Sequence, residues 1–212
     1  MNAKPTIYIV DDDLAVREGL KALLTAEGLA LAAFETAESF LAVVTPETLG
    51  CAIVDIRMPG MSGLELQREL KRRDIALPVI IITGHGDVPV AVSALKAGAV
   101  DFLEKPFDSD ALLASIDEAL KRGSSRAGSG IGSGLTLSLT KQAVAERVAQ
   151  LTPREREVMD LVVAGHPNKV VADRLSIAVR TVEIHRAHVM EKTGARNLSE
   201  LIRMAILLEQ GG

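Results

Sequence analysis

Residues 6–13 read T-I-Y-I-V-D-D-D, an apolar, β-rich run that stops abruptly in three carboxylates, Asp11, Asp12 and Asp13. A run apolar at nearly every position suits a strand buried on both faces. The pattern returns downstream, with short apolar runs at 31–34, 51–54, 79–83 and 101–103. Between them lie segments with helical spacing, clearest at 15–26, 64–73, 88–97 and 109–121. Five β and five α segments in strict alternation predict an α/β fold, a five-stranded parallel sheet covered by helices on both faces.

In such an open sheet, ligands bind beyond the carboxyl ends of the strands. The first run ends in Asp11, Asp12 and Asp13, and the third in Asp55, followed by I-R-M-P-G. The fourth ends in Thr83, Gly84 and His85, and the fifth is followed by Lys105 and Pro106. Carboxylates, a hydroxyl and an ammonium thus converge on one edge. Carboxylates packed together repel unless a cation lies between them. An oxygen-rich set with no thiolate and no imidazole pair suits a hard ion such as Mg²⁺. Such an ion, with positions open to phosphate oxygens, defines a phosphoryl-transfer site. Lys105 supplies a point charge for those oxygens, Thr83 a hydroxyl donor, and Asp55 the nucleophile. Asp13 is the expected N-cap of the helix that follows. Arg57 and His85, each two residues beyond a pocket residue, are expected to flank the path of water to an acyl-phosphate and to set its lifetime.

Beyond residue 122 the composition shifts. Residues 123–134 read G-S-S-R-A-G-S-G-I-G-S-G, a segment too poor in apolar surface to order itself. The expected division is a domain over 1–122, a flexible linker over 123–140 and a second domain over 141–212. The chain carries a net charge of −4. Residues 1–140 hold 13 Lys and Arg against 19 Asp and Glu, whereas residues 141–212 hold 11 against 9. The C-terminal part is therefore mildly basic, which is compatible with phosphate contacts. It shows no strand pattern and reads as four helices at 153–164, 168–175, 179–193 and 198–209, a small all-α domain. Thr152 is its first N-cap, with proline at the first helical position. A short turn at 176–178 joins the second and third helices in helix-turn-helix fashion.

On the third of these helices Val182, His185, Val189 and Thr193 form one stripe, expected to face the core. The opposite face carries Arg180, Ile184, Ala187 and Glu191. Ile184 and Ala187 suit thymine methyl groups. Lys169, Arg180 and Arg186 suit phosphates, which position a protein without reading sequence. With Thr181, Glu183 and His188 beside them, these residues form the expected DNA-contacting set.

The runs I-V-D-D-D, D-I-R-M-P, T83 and K105-P106, in that order and at those strand ends, resemble the two-component receiver domain. The string L-T-P-R-E-R-E…N-K-V-V-A…R-T-V-E-I-H-R…E-K-T-G-A-R-N resembles the LuxR/NarL helix-turn-helix. With T-G-H-G-D-V-P and K-P-F, the whole chain is similar to response regulators of the FixJ subfamily. The resemblance implies a flavodoxin-like sheet with Asp11, Asp12, Asp55 and the Arg57 carbonyl around Mg²⁺ and a phosphoryl group on Asp55 delivered by a sensor histidine kinase. It also implies a Thr83–Phe102 switch, in which Thr83 moves to the phosphoryl group and Phe102 turns inward. Dimerisation through the surface of residues 88–122, binding to double-stranded promoter DNA, and RNA polymerase as a further candidate partner follow from the same resemblance. Two departures stand out: His166 and Pro167 replace an apolar residue and serine, and Ser176 replaces the usual turn glycine.

Competing readings are weaker. A phosphorylation-independent DNA-binding protein would be expected to have lost part of the Asp12, Asp55, Thr83 and Lys105 set. An aspartyl-phosphate hydrolase would need an acid two residues after the nucleophile, where Arg57 stands. No G-x-G-x-x-G follows the first run, which disfavours a dinucleotide enzyme. Cys51, the single cysteine, sits in an apolar run and reads as a small buried hydrophobe in a reducing compartment. The start of the chain shows no signal-peptide pattern, and no apolar stretch approaches the roughly 20 residues of a membrane span. The expected location is the cytoplasm, and the expected role is regulatory rather than enzymatic, beyond accepting and losing its own phosphoryl group.

Overall fold

The computed structural model describes residues 4–84, 88–126 and 141–209. His85 and residues 127–140 of the expected linker lie outside the described residues. The chain divides into two compact units, residues 1–85 with 97–134 and residues 86–96 with 135–212. The helix α4 (Val88–Lys96) thus groups with the second unit.

The first unit is built on β1 (Thr6–Val10), β2 (Ala30–Phe34), β3 (Gly50–Asp55), β4 (Val79–Thr83) and β5 (Asp101–Glu104). They form one sheet in the order β2-β1-β3-β4-β5, all neighbours parallel. Helices α1 (Leu14–Ala26), α2 (Ala37–Leu41), α3 (Gly63–Arg72) and α5 (Ser109–Arg126) connect or follow the strands. Because side chains alternate across a strand, Ile7, Ile9, Cys51, Ile53, Ile80 and Ile82 share one face. There they pack with Leu20 and Leu24 of α1 and Leu112 and Ile116 of α5. The core is aliphatic, as a chain with 2% aromatic residues requires. Tyr8, Phe34 and Phe40 form an aromatic cluster. Cys51 is fully buried, and burial pushes its thiol up to about 12. It stays protonated and behaves as a small apolar side chain.

Helix α5 continues to Arg126, four residues into the stretch expected to be linker. Gly123 lies close to the β3 entry, where an added Cβ would stand 3.5 Å from the Gly50 carbonyl oxygen and from Pro78. The chain is therefore still packed on the sheet at this point, and that packing outweighs the low helix propensity of glycine and serine.

In the second unit, residues 141–209 form α6 (Lys141–Val148), α7 (Pro153–Val163), α8 (Asn168–Leu175), α9 (Val179–Thr193) and α10 (Leu198–Glu209). The last four are those the pattern predicts; α6 precedes them and was not anticipated. It buries Val144 and Val148, and Arg147 donates to the Thr193 carbonyl at 3.2 Å, tying the C-terminus of α9. The core packs Val158, Val162, Val171, Ala172 and Val182 together. Thr152 caps α7 in a reciprocal capping box with Glu155. Ser176 closes α8 in the left-handed region, φ 54° and ψ 46°. The Ser176 amide donates to Asp173 and the Ile177 amide to Ala172, a Schellman arrangement that sets the exit of the chain towards α9.

Candidate phosphoacceptor pocket and nucleic-acid interface

The ends of β1 and β3 are adjacent because these strands pair in register, Val10 beside Val54. That places Asp11 beside Asp55. Asp11 is fully buried and Asp55 is 6% exposed, while Asp12 and Asp13 point outward. Asp13 accepts the Ala15 amide and caps α1, as its position implied. The Lys105 ammonium reaches between the two buried carboxylates, 2.7 Å from Asp11 Oδ2 and 2.6 Å from Asp55 Oδ1. Lys105 is itself fixed by its amide, which donates to the Thr83 carbonyl at 2.7 Å, and the peptide before Pro106 is cis. The second oxygen of each carboxylate takes a backbone amide, Asp13 on Asp11 at 2.9 Å and Arg57 on Asp55 at 2.6 Å.

Burial raises the Asp55 carboxyl above its ordinary range, against the Lys105 hydrogen bond, and the nearby Asp11 charge adds to the rise. Burial pulls the Lys105 ammonium down, but hydrogen bonds and attraction to Asp11 and Asp55 together leave it raised. The lysine is therefore charged at neutral pH. Two buried carboxylates against one ammonium leave one formal negative charge, and the exposed Asp12 that follows Asp11 adds a second at the rim. An all-oxygen donor set with that charge fits a hard divalent cation.

Thr83 ends β4, 3% exposed, with its hydroxyl donating to the Gly84 carbonyl at 3.2 Å. Phe102 pairs with Ile81, two residues before Thr83, so Phe102 and Thr83 share a face of the sheet. The Phe102 ring is already buried, 9% exposed, where the switch reading has it turning inward. The Arg57 side chain is exposed.

Gly63 was not singled out in the sequence. A Cβ there would stand 2.3 Å from the Asp55 carbonyl oxygen, and its amide donates to the Ile56 carbonyl at 3.0 Å. The start of α3 thus lies directly on the backbone that carries Asp55, and only glycine permits that approach. A glycine opening a helix eight residues after the strand-ending aspartate was the available signal.

In the second unit the inner stripe of α9 is as expected: Val182, Val189 and Thr193 are buried and His185 half-buried. Arg180, Glu183, Ile184, Ala187 and His188 are exposed, as is Lys169 on α8, and Thr181 is half-buried. Val170, Val179 and Ile184 stand 37%, 41% and 49% exposed. Large apolar side chains left in water on neighbouring helices mark a surface that meets something. Arg186 is less free than expected, since its guanidinium donates to Asn168 Oδ1 at 2.6 Å and braces α9 against α8.

Residues 7–117 match the family described as response regulator receiver domain, and residues 149–205 the family described as bacterial regulatory proteins, luxR family. The chain belongs to the response regulators. It is 44% identical over 206 residues to the transcriptional regulatory protein FixJ of Bradyrhizobium diazoefficiens, covering 97% of each chain. It is also 44% identical over 201 residues to the C4-dicarboxylate transport transcriptional regulatory protein DctR of Rhodobacter capsulatus, covering 94% of this chain and 98% of that one. The crystal structure of full-length FixJ from B. japonicum is 42% identical, covers 100% of both chains and gives a TM-score of 0.55. A receiver joined to a LuxR-type domain makes this response regulator a DNA-binding regulator of transcription, with a kinase and DNA as the implied partners. No helix among the described residues is long and apolar enough to cross a membrane.

Proposed function

We propose that the response regulator is switched by phosphorylation of Asp55. The observation that carries this reading is the Lys105 ammonium held between the buried carboxylates of Asp11 and Asp55. The ammonium favours the Asp55 carboxylate against a burial that opposes its charge and leaves a cation pointing at its oxygens. An Asp55 oxygen would attack the phosphorus of a phosphohistidine on the sensor kinase, the P–N bond breaking and the imidazole leaving. Asp11, Asp12, Asp55 and the Arg57 carbonyl would hold Mg²⁺, which supplies charge neutralisation for the phosphoryl oxygens. Lys105 and the Thr83 hydroxyl would bind those oxygens as the new charge appears.

The Thr83 hydroxyl would exchange the Gly84 carbonyl for a phosphoryl oxygen, and Phe102 on the same face would lock the change in place. That shifts the balance between two states of the surface of residues 88–122, which would then pair with a second copy. Arg57, with its exposed side chain, and His85 would set the lifetime of the acyl-phosphate. In the DNA-binding domain, Lys169 and Arg180 would contact phosphates, Arg186 joining them from its Asn168 brace. Ile184, Ala187, Thr181, Glu183 and His188 would face the bases in the major groove. The domains would span residues 1–122 and 141–212. The protein would act in the cytoplasm, with RNA polymerase a further partner at the promoter. Equal identity to FixJ and DctR leaves the regulon unassigned.

The test incubates wild type and Asp55→Asn with Mg²⁺ and acetyl phosphate and follows intact mass and dimer fraction together. The expected result is one added phosphoryl group with dimerisation, both absent from the variant. No mass gain in the wild type overturns the reading. Arg57→Ala and His85→Ala are expected to change the decay rate of phospho-Asp55.

A further inference from the structure

Glu155, His185 and His188 each bring one potential ligand atom to within 4.8 Å of the others. The three side chains are held by different means. Glu155 is the third residue of α7, and its side chain is only 5% exposed. Its Oε2 accepts the Thr152 amide at 2.8 Å and the Lys192 ammonium at 2.6 Å. Its Oε1 lies 3.5 Å from His188 Nδ1. The Lys192 hydrogen bond, helped by the Thr152 amide, holds this carboxyl down at about 2, so it is ionised at any physiological pH.

His185 and His188 stand three residues apart on α9, a spacing that puts both on one side of a helix. The Nδ1 of His185 is buried and has no hydrogen-bond partner among the described residues. An unpaired buried ring nitrogen costs free energy that a ligand would recover.

We propose that Glu155, His185 and His188 form a site for a divalent transition-metal ion of the zinc class. Two imidazoles and a carboxylate are a donor set for such ions, and three protein ligands leave a fourth position to water. Bonds of about 2.0–2.2 Å in a tetrahedron place adjacent ligand atoms about 3.3–3.5 Å apart. The 3.5 Å between Glu155 Oε1 and His188 Nδ1 already meets that. The other separations in the set lie within 4.8 Å, and the 50% exposed side chain of His188 leaves it room to adjust. Lys192 stays on Oε2 while the ion takes Oε1, and its charge keeps the site weaker than a fully anionic one. The nitrogen-containing set also separates this site from the receiver pocket, whose oxygens select a harder ion. Bound metal would pin α9 to α7 and draw His188 away from the DNA-facing side, making DNA binding metal-dependent.

The test titrates the full-length chain with Co²⁺ in a large excess of Mg²⁺, which satisfies the receiver pocket, and follows visible d–d absorption and displacement by Zn²⁺. The expected result is one equivalent with tetrahedral absorption. His185→Ala and His188→Ala should each weaken binding by about 10–100-fold or more, since even outer-shell partners are worth that much. His188→Asp, which keeps a ligand atom, should retain most of it. Half-exposed His188 can be truncated without disturbing the core, and unchanged circular dichroism would confirm this. Absence of tetrahedral absorption in the wild type, or equal affinity in wild type and His188→Ala, overturns the proposal.

Discussion

Replacing Lys105 by methionine keeps most of the side-chain volume and removes the charge that joins two buried carboxylates. Asp11 and Asp55 are 1% and 9% exposed at their side chains, against 24% for Lys105. Breaking a buried ion pair from one side costs about 3–5 kcal/mol, because the remaining charge is left uncompensated. The partial exposure of the lysine lets water screen part of that loss, so the expected cost is about 2–3 kcal/mol. For a domain of this size that lowers the melting temperature by about 10 °C.

The pH dependence has a definite sign. Asp55 is already raised above its ordinary value by burial, and without the ammonium it rises further. A carboxyl whose folded value lies above its unfolded value destabilises the fold at neutral pH, and that penalty is relieved as pH falls through the folded value. The deficit of Lys105→Met should therefore be largest near neutral pH and shrink as pH falls through the raised Asp55 value. Adding Asp55→Asn to Lys105→Met should restore part of the loss, a coupling that a double-mutant cycle reads directly. Calorimetry of the full-length chain in the presence of a chelator measures all of these. A melting temperature unchanged at neutral pH would refute the claim that the Lys105 ammonium stabilises the two carboxylates it bridges.

Ser176→Gly should stabilise the DNA-binding domain by about 0.5–1 kcal/mol, because the left-handed residue loses a steric cost of about 1–2 kcal/mol against about 0.5–1 kcal/mol of added chain entropy. Thermal unfolding by circular dichroism checks it, and a lower midpoint would contradict the strain argument. Glu155, held near 2 against an ordinary 4.5 chiefly by Lys192, contributes stability that is complete above its ordinary value and lost as pH falls towards about 2. Lys192→Met should therefore be destabilised relative to wild type above that window and converge with it below, in acid titrations of helicity. On DNA, Arg180→Ala should weaken binding to all sequences and lower the salt slope by about 1. Ile184→Ala should leave the slope unchanged and narrow the gap between matched and mismatched sites in fluorescence anisotropy.

The sheet, its strand ends and the helix caps Asp13 and Thr152 were legible in the sequence because their signals are local. Apolar runs that end in Asp11, Asp55 and Thr83 name strands and their ligand-bearing edge together, and Thr152-Pro153 with Glu155 announces a helix start. Helix α6 escaped notice because only Val144 and Val148 of its eight residues are buried, too few to print a periodicity. The end of α5 was misjudged because G-S-S-R states only a weak local preference, which packing on the sheet overrides. What tertiary structure alone decided are pairings across long separations: Lys105 with Asp11 over 94 residues, and Lys192 with Glu155 over 37. The same holds for Arg186 with Asn168 over 18, for the approach of Gly63 to the Asp55 carbonyl, and for the meeting of Glu155 with His185 and His188. A side chain's type gives the chemistry it can perform, and position along the chain gives the face it occupies. Its partner in space is set by how strands and helices pack, and local sequence carries no record of that distance.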